Sequence, residues 1–248
     1  MNKIVVFGLS LLLLQACKKE VNYSLQTDLD NDGLEISSDY IIACAAGMPD
    51  GFMGDAKHPV SMFFYPVSGA SNYRYYETTS DNLNKWDYSL YTEISKSSLP
   101  VFNGYLRRFP LPNNRNRWGI VTYEVDGKLR VCDPVHIKVS FKPTVWSPES
   151  IKITENGVNP SFAWEEFPSH QNAIHFNVIS DSTGNLISGT YTADTSWSFY
   201  DLSNVTLNIR DIMPTPSLNS TTQYKFTLMS VSDDNWVTAF GQKDFVTP

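Results

Sequence analysis

The sequence predicts an all-β protein, and three of its features lead to this prediction. Aromatic residues make up 13% of the chain, while charged residues make up only 18%. Short runs in which apolar and polar residues alternate are separated by turn-forming residues about every 8–12 positions. Stretches that favour long helices are scarce. This combination is typical of antiparallel β-sandwiches, in which each strand buries one face.

The strand pattern is clearest in the second half of the chain. Lys142-Pro143-Thr144 and Ser147-Pro148 indicate a domain boundary, since proline disfavours the continuation of a strand. Thr183-Gly184-Asn185 and Asp233-Asp234-Asn235 are predicted turns. In AIHFNVISD the alternation predicts that every second residue, starting from Ile174, points into the sandwich. These inward positions are Ile174, Phe176 and Val178.

This half resembles a fibronectin type III domain over residues 144–248. In that family an early tryptophan packs into the core, and Trp164 occupies the matching place. A tyrosine that follows a leucine forms a corner before the sixth strand, and Leu218 and Tyr224 match that pair. Immunoglobulin-like domains share this architecture. The resemblance therefore implies a sandwich of about seven short strands.

The first half repeats this plan in a weaker form. VSMFFYPVSGASNYRYYETT contains two predicted strands around a turn, with Tyr65 near the expected place of the core tryptophan. RWGIVTYEV and KLRVCDPVHIKV are joined by Asp126-Gly127, which is a strong hairpin signal. Trp118 stands where the corner tyrosine is expected, and DYIIACAAG is the predicted first strand. The resemblance implies a second fibronectin type III-like sandwich in this half.

Together these patterns predict two tandem fibronectin type III-like sandwiches. The predicted parts are a signal peptide at 1–16, a flexible acidic tether at 17–38, a first sandwich at 39–142 and a second at 143–248. The signal peptide is indicated by Lys3 and by an apolar run that is shorter than the about 20 residues a membrane-spanning helix needs.

The exit Leu14-Gln15-Ala16-Cys17 resembles the lipobox of bacterial lipoproteins. In that family the cysteine is acylated and the leader is removed in front of it. The resemblance implies that Cys17 anchors the protein to the outer membrane through membrane lipid. Lys18-Lys19-Glu20 is similar to the segment that accompanies transfer to the cell surface in Bacteroidota lipoproteins, and the periplasmic face is the alternative. An ordinary secretory signal is the other interpretation of the leader.

Cys44 and Cys132 are the remaining cysteines. An exported chain matures in an oxidising compartment, so this pair favours a disulfide. The fibronectin type III plan, in which the first and last strands lie near each other, implies that the two can meet. Two buried free thiols are the alternative, because free cysteine packs as a small apolar residue.

The stretch DLDNDGLEISSD, residues 28–39, has the spacing of a calcium loop. It resembles dockerin and thrombospondin type 3 loops, with aspartate instead of glutamate at its last position. A solvated acidic tether explains the same composition. The cofactor prediction is therefore either none or calcium. The candidate ligands are Asp28, Asp30, Asp32, the carbonyl of Leu34 and Asp39.

Two groups of side chains are candidates for binding. Arginines are suited to an acidic partner or a lipid headgroup, and exposed aromatic rings stack on sugars or anchor protein interfaces. The structural alternatives are a solvated loop for the arginines and burial in the sandwich for the rings. The arginines are Arg107, Arg108, Arg115 and Arg117, and the aromatic residues are Trp86, Tyr88, Tyr91 and Trp236.

Charge and motifs narrow the classes of function. The net charge of −7 disfavours nucleic acid, whose phosphates require clustered lysine and arginine. No catalytic motif with a mechanism is present, so no catalytic residue is predicted. The sequence thus leads to a noncatalytic, outer-membrane-anchored lipoprotein that serves as a protein-binding accessory subunit or adhesive module of an envelope complex. The alternative is a glycan-binding surface lipoprotein of a polysaccharide-uptake system.

Overall fold

The computed structural model describes residues 24–31, 33–47, 59–112, 115–138, 144–166, 174–208 and 217–248. Cys17 and the predicted signal peptide lie outside these residues. No helix among the described residues has the length and hydropathy needed to cross a membrane.

The described residues of the first half form a short helix and ten strands. The helix is α1, Leu25–Asn31, and 3-10 turns follow at Tyr88–Leu90 and Phe102–Gly104. The strands are β1 (Glu35–Ile36), β2 (Ala43–Gly47), β3 (Val60–Phe64), β4 (Ser71–Glu77), β5 (Thr92–Glu93), β6 (Leu99–Val101), β7 (Leu106–Leu111), β8 (Arg117–Val125), β9 (Lys128–Val131) and β10 (Val135–Ile137).

The second half contains nine described strands and a 3-10 turn at Pro148–Ser150. The strands are β11 (Val145–Trp146), β12 (Ile151–Glu155), β13 (Ser161–Trp164), β14 (Ile174–Asp181), β15 (Leu186–Thr192), β16 (Ser196–Ser198), β17 (Val205–Asn208), β18 (Gln223–Val231) and β19 (Trp236–Val246).

Each half is a sandwich of two sheets, which confirms the predicted all-β fold class. In the first, the sheet β1-β9-β8-β4-β5, with β10 beside β8, faces β2-β3-β7-β6. In the second, the sheet β12-β13-β16 faces β17-β15-β14-β18-β19. Numbered along each half, main strands one, two and five lie in one layer; they are β2, β3 and β7, and β12, β13 and β16. Main strands three, four, six and seven lie in the other layer; they are β4, β5, β8 and β9, and β14, β15, β18 and β19. This is a fibronectin type III-like strand order.

Local turn chemistry explains several connections. Asp126 and Gly127 both have positive φ, 53° and 71°, as a type I′ turn requires, and they join β8 to β9 as predicted. At the predicted corner, Tyr224 is buried and its hydroxyl accepts a hydrogen bond from the Asn219 backbone N–H at 3.0 Å. Trp164 packs in the core of the second sandwich, also as predicted.

The two sandwiches share one sheet, which the sequence did not predict. Strand β19 of the second sandwich pairs in parallel with β2 of the first, with Trp236 opposite Ala45 and Val237 opposite Ala46. Among the described residues this pairing makes a ten-stranded sheet, β17-β15-β14-β18-β19-β2-β3-β7-β6 with β11 beside β19. The halves are therefore joined by backbone hydrogen bonds as well as by the chain that connects them.

Side chains reinforce this seam. The Thr144 hydroxyl accepts a hydrogen bond from the Gly47 N–H at 2.9 Å and donates one to the Val237 carbonyl at 2.7 Å. Lys138, beyond β10, forms an ion pair with Asp234 in the β18–β19 turn. Thr144 is buried, so both of its hydrogen bonds are protected from water.

The segment before the first sandwich is packed against it over its described residues, and the prediction of a flexible tether is wrong from residue 24 onward. Leu25 is fully buried in the first core, and its N–H donates to the Tyr91 carbonyl at 3.0 Å. Strand β1 then pairs in parallel with β9. Burial of one leucine and formation of sheet hydrogen bonds offset the entropy of ordering this acidic stretch.

Candidate functional site

Three apolar clusters organise the molecule, and the middle one lies between the sandwiches. The first fills the first sandwich and the third fills the second. The middle cluster draws on both halves of the ten-stranded sheet, and the rings of Phe63 and Phe240 lie 6.0 Å apart across it. It is named the seam cluster here. Its buried members include Ala46, Phe63, Leu106, Phe176, Tyr191, Met229 and Val231.

Strand periodicity explains why this cluster exists. All five residues of β3 are buried, because Met62 and Phe64 face the first core while Phe63 faces the seam cluster. On β14, Phe176 and Val178 belong to the seam cluster, whereas Ile179 belongs to the second core. The prediction that these alternate apolar residues point into the second sandwich is therefore wrong.

A cavity of about 220 Å³ opens within the seam cluster. Both sandwiches supply its walls, and nearly all of its lining side chains are apolar. Phe176 and Tyr191 stack at 4.5 Å between ring centroids and form a flat wall on one side. The facing wall comes from β2, β3 and β7. The lining includes Ile42, Cys44, Phe63, Tyr65, Leu106, Ile174, Leu207, Met229 and Asn235.

The mouth of this cavity is flanked by exposed apolar side chains. Ile42 is 37% exposed and Leu207 is 40% exposed, although both line the cavity. Tyr40, which is 76% exposed, stands beside Ile42 on the wall of an adjacent cavity of about 210 Å³. The first cavity and the rim residues Tyr40, Ile42 and Leu207 together form the seam cleft. Its apolar walls from both sandwiches make it a candidate binding site.

The predicted disulfide between Cys44 and Cys132 is wrong, since both thiols are free. Cys132 packs in the first core, whereas Cys44 packs against the seam cluster on the other side of the sheet. The alternation of side chains along β2 separates the two sulfur atoms. Burial raises the pKa of each thiol to about 12. Both are therefore protonated at neutral pH, and neither is a thiolate nucleophile.

The predicted aromatic binding residues are divided between core and surface. Trp236 is fully buried and packs in the first core, although its strand belongs to the second sandwich. Tyr91 is also fully buried, and its hydroxyl donates to the Lys85 carbonyl at 2.7 Å. Tyr88 is half-buried against the first core. Trp86 differs from these, because it is 55% exposed.

The four predicted arginines do not form a basic patch. Arg117 is fully buried and donates to a Glu77 carboxylate oxygen at 2.5 Å, while Arg115 contacts the other oxygen at 2.7 Å. Arg107 donates to Ser98 and lies over the Tyr73 ring at 4.6 Å. Arg108 donates to the Ser61 hydroxyl at 2.9 Å. These guanidinium groups hold the first sandwich together, so the prediction of a surface for an acidic partner is wrong.

The described members of the predicted calcium set do not converge. Asp28 lies in α1 and accepts a hydrogen bond from the Tyr76 hydroxyl at 2.7 Å. Asp39 forms an ion pair with Arg130 of β9, in which a guanidinium nitrogen lies 2.7 Å from a carboxylate oxygen. Asp30 accepts from the Gln26 amide at 2.9 Å, Leu34 precedes β1, and Asp32 lies outside the described residues. The helix separates oxygens that a calcium loop would bring together.

Polar side chains fill part of the second sandwich where apolar ones were predicted. His175 is buried, and its Nδ1 lies 2.9 Å from the Ser230 hydroxyl, while its Nε2 lies 3.7 Å from a Glu166 carboxylate oxygen. Trp164 meets the imidazole edge-on at 5.2 Å. Desolvation lowers the pKa of His175 below its ordinary value, and the Glu166 carboxylate offsets part of this effect. The neutral imidazole is therefore the form that fits this core.

Stability is expected to fall as the pH is lowered through the ordinary histidine pKa of 6.5, because the unfolded chain then binds a proton that folded His175 resists. The effect is complete only when the pH falls below the depressed pKa of the folded state. Urea midpoints at about pH 7.5 and about pH 5.5 measure it. His175→Gln should flatten this dependence, because glutamine carries no titrating group. An unchanged slope in the His175 variant would contradict this explanation.

The seam cleft was not predicted from the sequence, although one signal for it exists. VSMFF, residues 60–64, is apolar at every position but one, and a tyrosine follows it, which indicates a strand that is buried on both faces. The sequence does not say which partner covers the second face.

No family model matches the sequence, and no curated protein matches it. Among solved structures, the chain is similar to a two-domain fibronectin type III segment of chicken tenascin. The identity is 16%, the TM-score 0.27, and the alignment covers 86% of this chain and 97% of that one. It is also similar to the chicken interferon gamma receptor alpha chain, with 10% identity, a TM-score of 0.26, and coverage of 76% and 92%. These TM-scores are low, so the fold class rests on the strand order.

That strand order defines the class of protein: an all-β protein in which two fibronectin type III-like sandwiches share one sheet. An apolar cleft lies between them.

Proposed function

We propose that this chain is a noncatalytic binding protein of the bacterial outer membrane, anchored by lipid on Cys17, whose seam cleft docks a protein partner. The observation that carries the proposal is the seam cleft, in which a cavity with walls from both sandwiches opens beside three exposed apolar side chains. Protein interfaces have this organisation, with a pocket that takes an anchoring side chain and a surrounding rim that excludes water.

The exposed rim favours a protein over a small apolar ligand. A compound held inside about 220 Å³ would leave Tyr40 and Ile42 in water, since both extend beyond the cavity. A partner that inserts one aromatic or aliphatic side chain and lays its backbone over the rim would cover both. Each apolar side chain that becomes fully buried contributes about 1.5–3 kcal/mol.

The lining also supports a binding role instead of a catalytic one. Its polar groups are the Cys44 thiol, the hydroxyls of Tyr65 and Tyr191, and the Asn235 amide. Burial raises the pKa values of Cys44 and Tyr191, so both groups keep their protons at neutral pH. No carboxylate or histidine of the described residues lines this cavity. A general acid–base pair requires groups that titrate near the working pH.

The anchor is supported by the lipobox-like exit of the leader. One acyl chain holds a protein only reversibly, whereas two or more give stable attachment. An acylated Cys17 would therefore keep the protein at the membrane while the seam cleft binds its partner.

The structure gives less support to the glycan-binding alternative than to protein binding. Glycan binding requires a flat row of exposed aromatic side chains flanked by polar groups. Trp236 and Tyr91 are buried. Among the described candidates for that row, only Trp86 has more than half of its surface exposed to water.

The proposal predicts that Ile42→Asp or Leu207→Asp strongly reduces partner capture, because a carboxylate on the rim opposes burial under an apolar surface. Crosslinking in intact cells, followed by purification, should recover a stoichiometric partner with the natural chain. Recovery should fall at least about tenfold in either variant, as expected for an anchoring position. Val246→Asp is the matched control, since Val246 is 54% exposed and lies at the far end of β19.

Cys17→Ser provides the test of the anchor in the same cells. It should move the protein from the membrane fraction to the soluble fraction without changing its thermal unfolding. Equal partner recovery from the rim variants and the natural chain would refute the seam cleft as the docking site. Unchanged membrane attachment of the Cys17 variant would refute the lipid anchor.

A further inference from the structure

An aromatic stack that includes a cation reaches the surface of the first sandwich at Trp86. The Lys85 ammonium lies 5.1 Å from the Trp86 ring centroid and 5.0 Å from that of Trp118. Trp118 in turn stacks on His136 at 4.6 Å between centroids. These four side chains are named the Trp86 surface here. Trp118 is further held by its indole N–H, which donates to the Asp81 carbonyl at 3.0 Å. The stack therefore presents the Trp86 indole to solvent from a rigid base.

This surface is tied to the point where the described chain begins. The Leu25 N–H donates to the Tyr91 carbonyl at 3.0 Å, and the Tyr91 hydroxyl donates to the Lys85 carbonyl at 2.7 Å. Ser24 also forms a bridge with Thr92 of β5. The turn that carries Trp86 thus lies beside the start of α1, on the side of the sandwich where the chain arrives from Cys17.

The length of the connecting chain limits how far this side can be from a membrane. Seven residue steps separate Cys17 from Ser24. At no more than about 3.6 Å per residue, they span at most about 25 Å. If Cys17 carries the lipid, Ser24 and its neighbours are held within this distance of the bilayer surface.

The chemistry of the Trp86 surface fits the interface of a bilayer. An indole ring has an apolar body and one polar N–H, and tryptophan is enriched where acyl chains meet headgroups. A lysine beside it keeps its ammonium among phosphates while its stem covers apolar surface. The nearby carboxylates of Asp81 and Asp87 are engaged with His136 and Ser89. The local charge is therefore mixed, and the contact relies on the indole more than on anionic lipid.

We propose that the Trp86 surface rests in the headgroup region of the bilayer that holds the Cys17 lipid, and that this contact sets the orientation of the first sandwich. The inference depends on the proposed anchor. It assigns Trp86 to membrane contact, and the seam cleft remains free for the protein partner.

Fluorescence quenching by brominated acyl chains tests this inference on the mature, acylated protein in phosphatidylcholine vesicles. Part of the tryptophan emission should be quenched, more strongly by bromine near the headgroup than by bromine near the chain end. Trp86→Phe should abolish this quenching. Trp146→Phe is the matched control, because Trp146 is 38% exposed and lies on β11 of the second sandwich. Adding anionic lipid should change the quenching little.

A second arm separates this inference from the anchor. In it, Cys17 is replaced by a histidine tag, and the chain is held on vesicles that contain nickel-chelating lipid. If Trp86→Phe removes the quenching in this arm, the membrane contact is supported. If mass spectrometry finds no acyl group on Cys17 in the natural protein, the anchor alone fails. Absence of quenching, or equal quenching in the natural chain and the Trp86 variant, would overturn the inference.

Discussion

Replacement of Trp236 by alanine is expected to lower the free energy of unfolding by about 3–5 kcal/mol, the usual cost of emptying a buried tryptophan site. The side chain is fully buried in the first core, while its strand belongs to the second sandwich. Its backbone also lies in the pairing of β19 with β2. The substitution therefore weakens the core of one sandwich and the contact between the two.

The transition should also change its shape. The natural chain is expected to unfold in one cooperative step, since the sandwiches share a sheet and the seam cluster. In the Trp236 variant the first sandwich should unfold before the second, which circular dichroism and intrinsic fluorescence would report as two separate urea midpoints.

Trp197→Ala is the matched control, because Trp197 is 1% exposed and packs in the second core away from the seam. It should lower the free energy of unfolding by a similar amount. The two sandwiches should nevertheless remain coupled in their unfolding. A Trp236 variant with natural stability and a single transition would show that the seam contributes little.

Replacement of Arg117 by methionine is expected to cost about 3–5 kcal/mol, the range for removing one partner of a buried ion pair. Arg117 is fully buried, and its Nε lies 2.5 Å from Glu77 Oε2. Its other guanidinium nitrogens donate to the carbonyls of Arg115 and Pro112 at 2.8 and 3.2 Å. The variant would leave Glu77 buried with one remaining cation and would remove the hydrogen bonds to the Arg115 and Pro112 carbonyls.

Two further variants distinguish the buried pair from general charge effects. Arg115→Met removes the second cation from the same carboxylate, but the Arg115 side chain is 40% exposed, so the loss should be about 1 kcal/mol or less. The double variant Glu77→Leu, Arg117→Met leaves no fully buried charge without a partner, because the remaining Arg115 side chain is 40% exposed. It should therefore recover most of the lost stability. Chemical denaturation of the natural chain, Glu77→Leu, Arg117→Met and the double variant gives the coupling energy. A double variant as unstable as Arg117→Met would contradict this explanation.

Much of the fold could be predicted because its signals are local. Asp126-Gly127 predicts its own turn through two positive φ angles, and Leu218 and Tyr224 predict a corner that a single hydrogen bond closes. The candidate site could be predicted far less well. Arg117 and Trp86 are similar in sequence context, each near other polar residues and turns, yet one is fully buried and the other is 55% exposed. Exposure depends on which strands pack over a residue, and the residue itself carries little information about that.

The cysteines and β14 show the same limit. Period-two alternation correctly divides a strand into two faces, but it does not say which face meets which core. Alternation predicts that Phe176 and Val178 point into the second sandwich, and the strand plan predicts that Cys44 meets Cys132. All three residues pack at the seam instead. The polar face of β14, with His175 and Asn177, is the one that lies inside the second sandwich.

The sequence by itself determined the all-β class, the repeated sandwich plan and its main turns, since alternation and turn-forming residues act within a few positions of each other. It also supplied the features on which the proposed anchor depends. The tertiary structure decided that the two sandwiches share a sheet, that Trp236 locks one into the other, and that an apolar cleft opens where they meet. The pairing of β19 with β2 uses backbone N–H and C=O groups that are alike in nearly every residue. No side-chain pattern in either strand specifies that partner, so only the folded chain shows it.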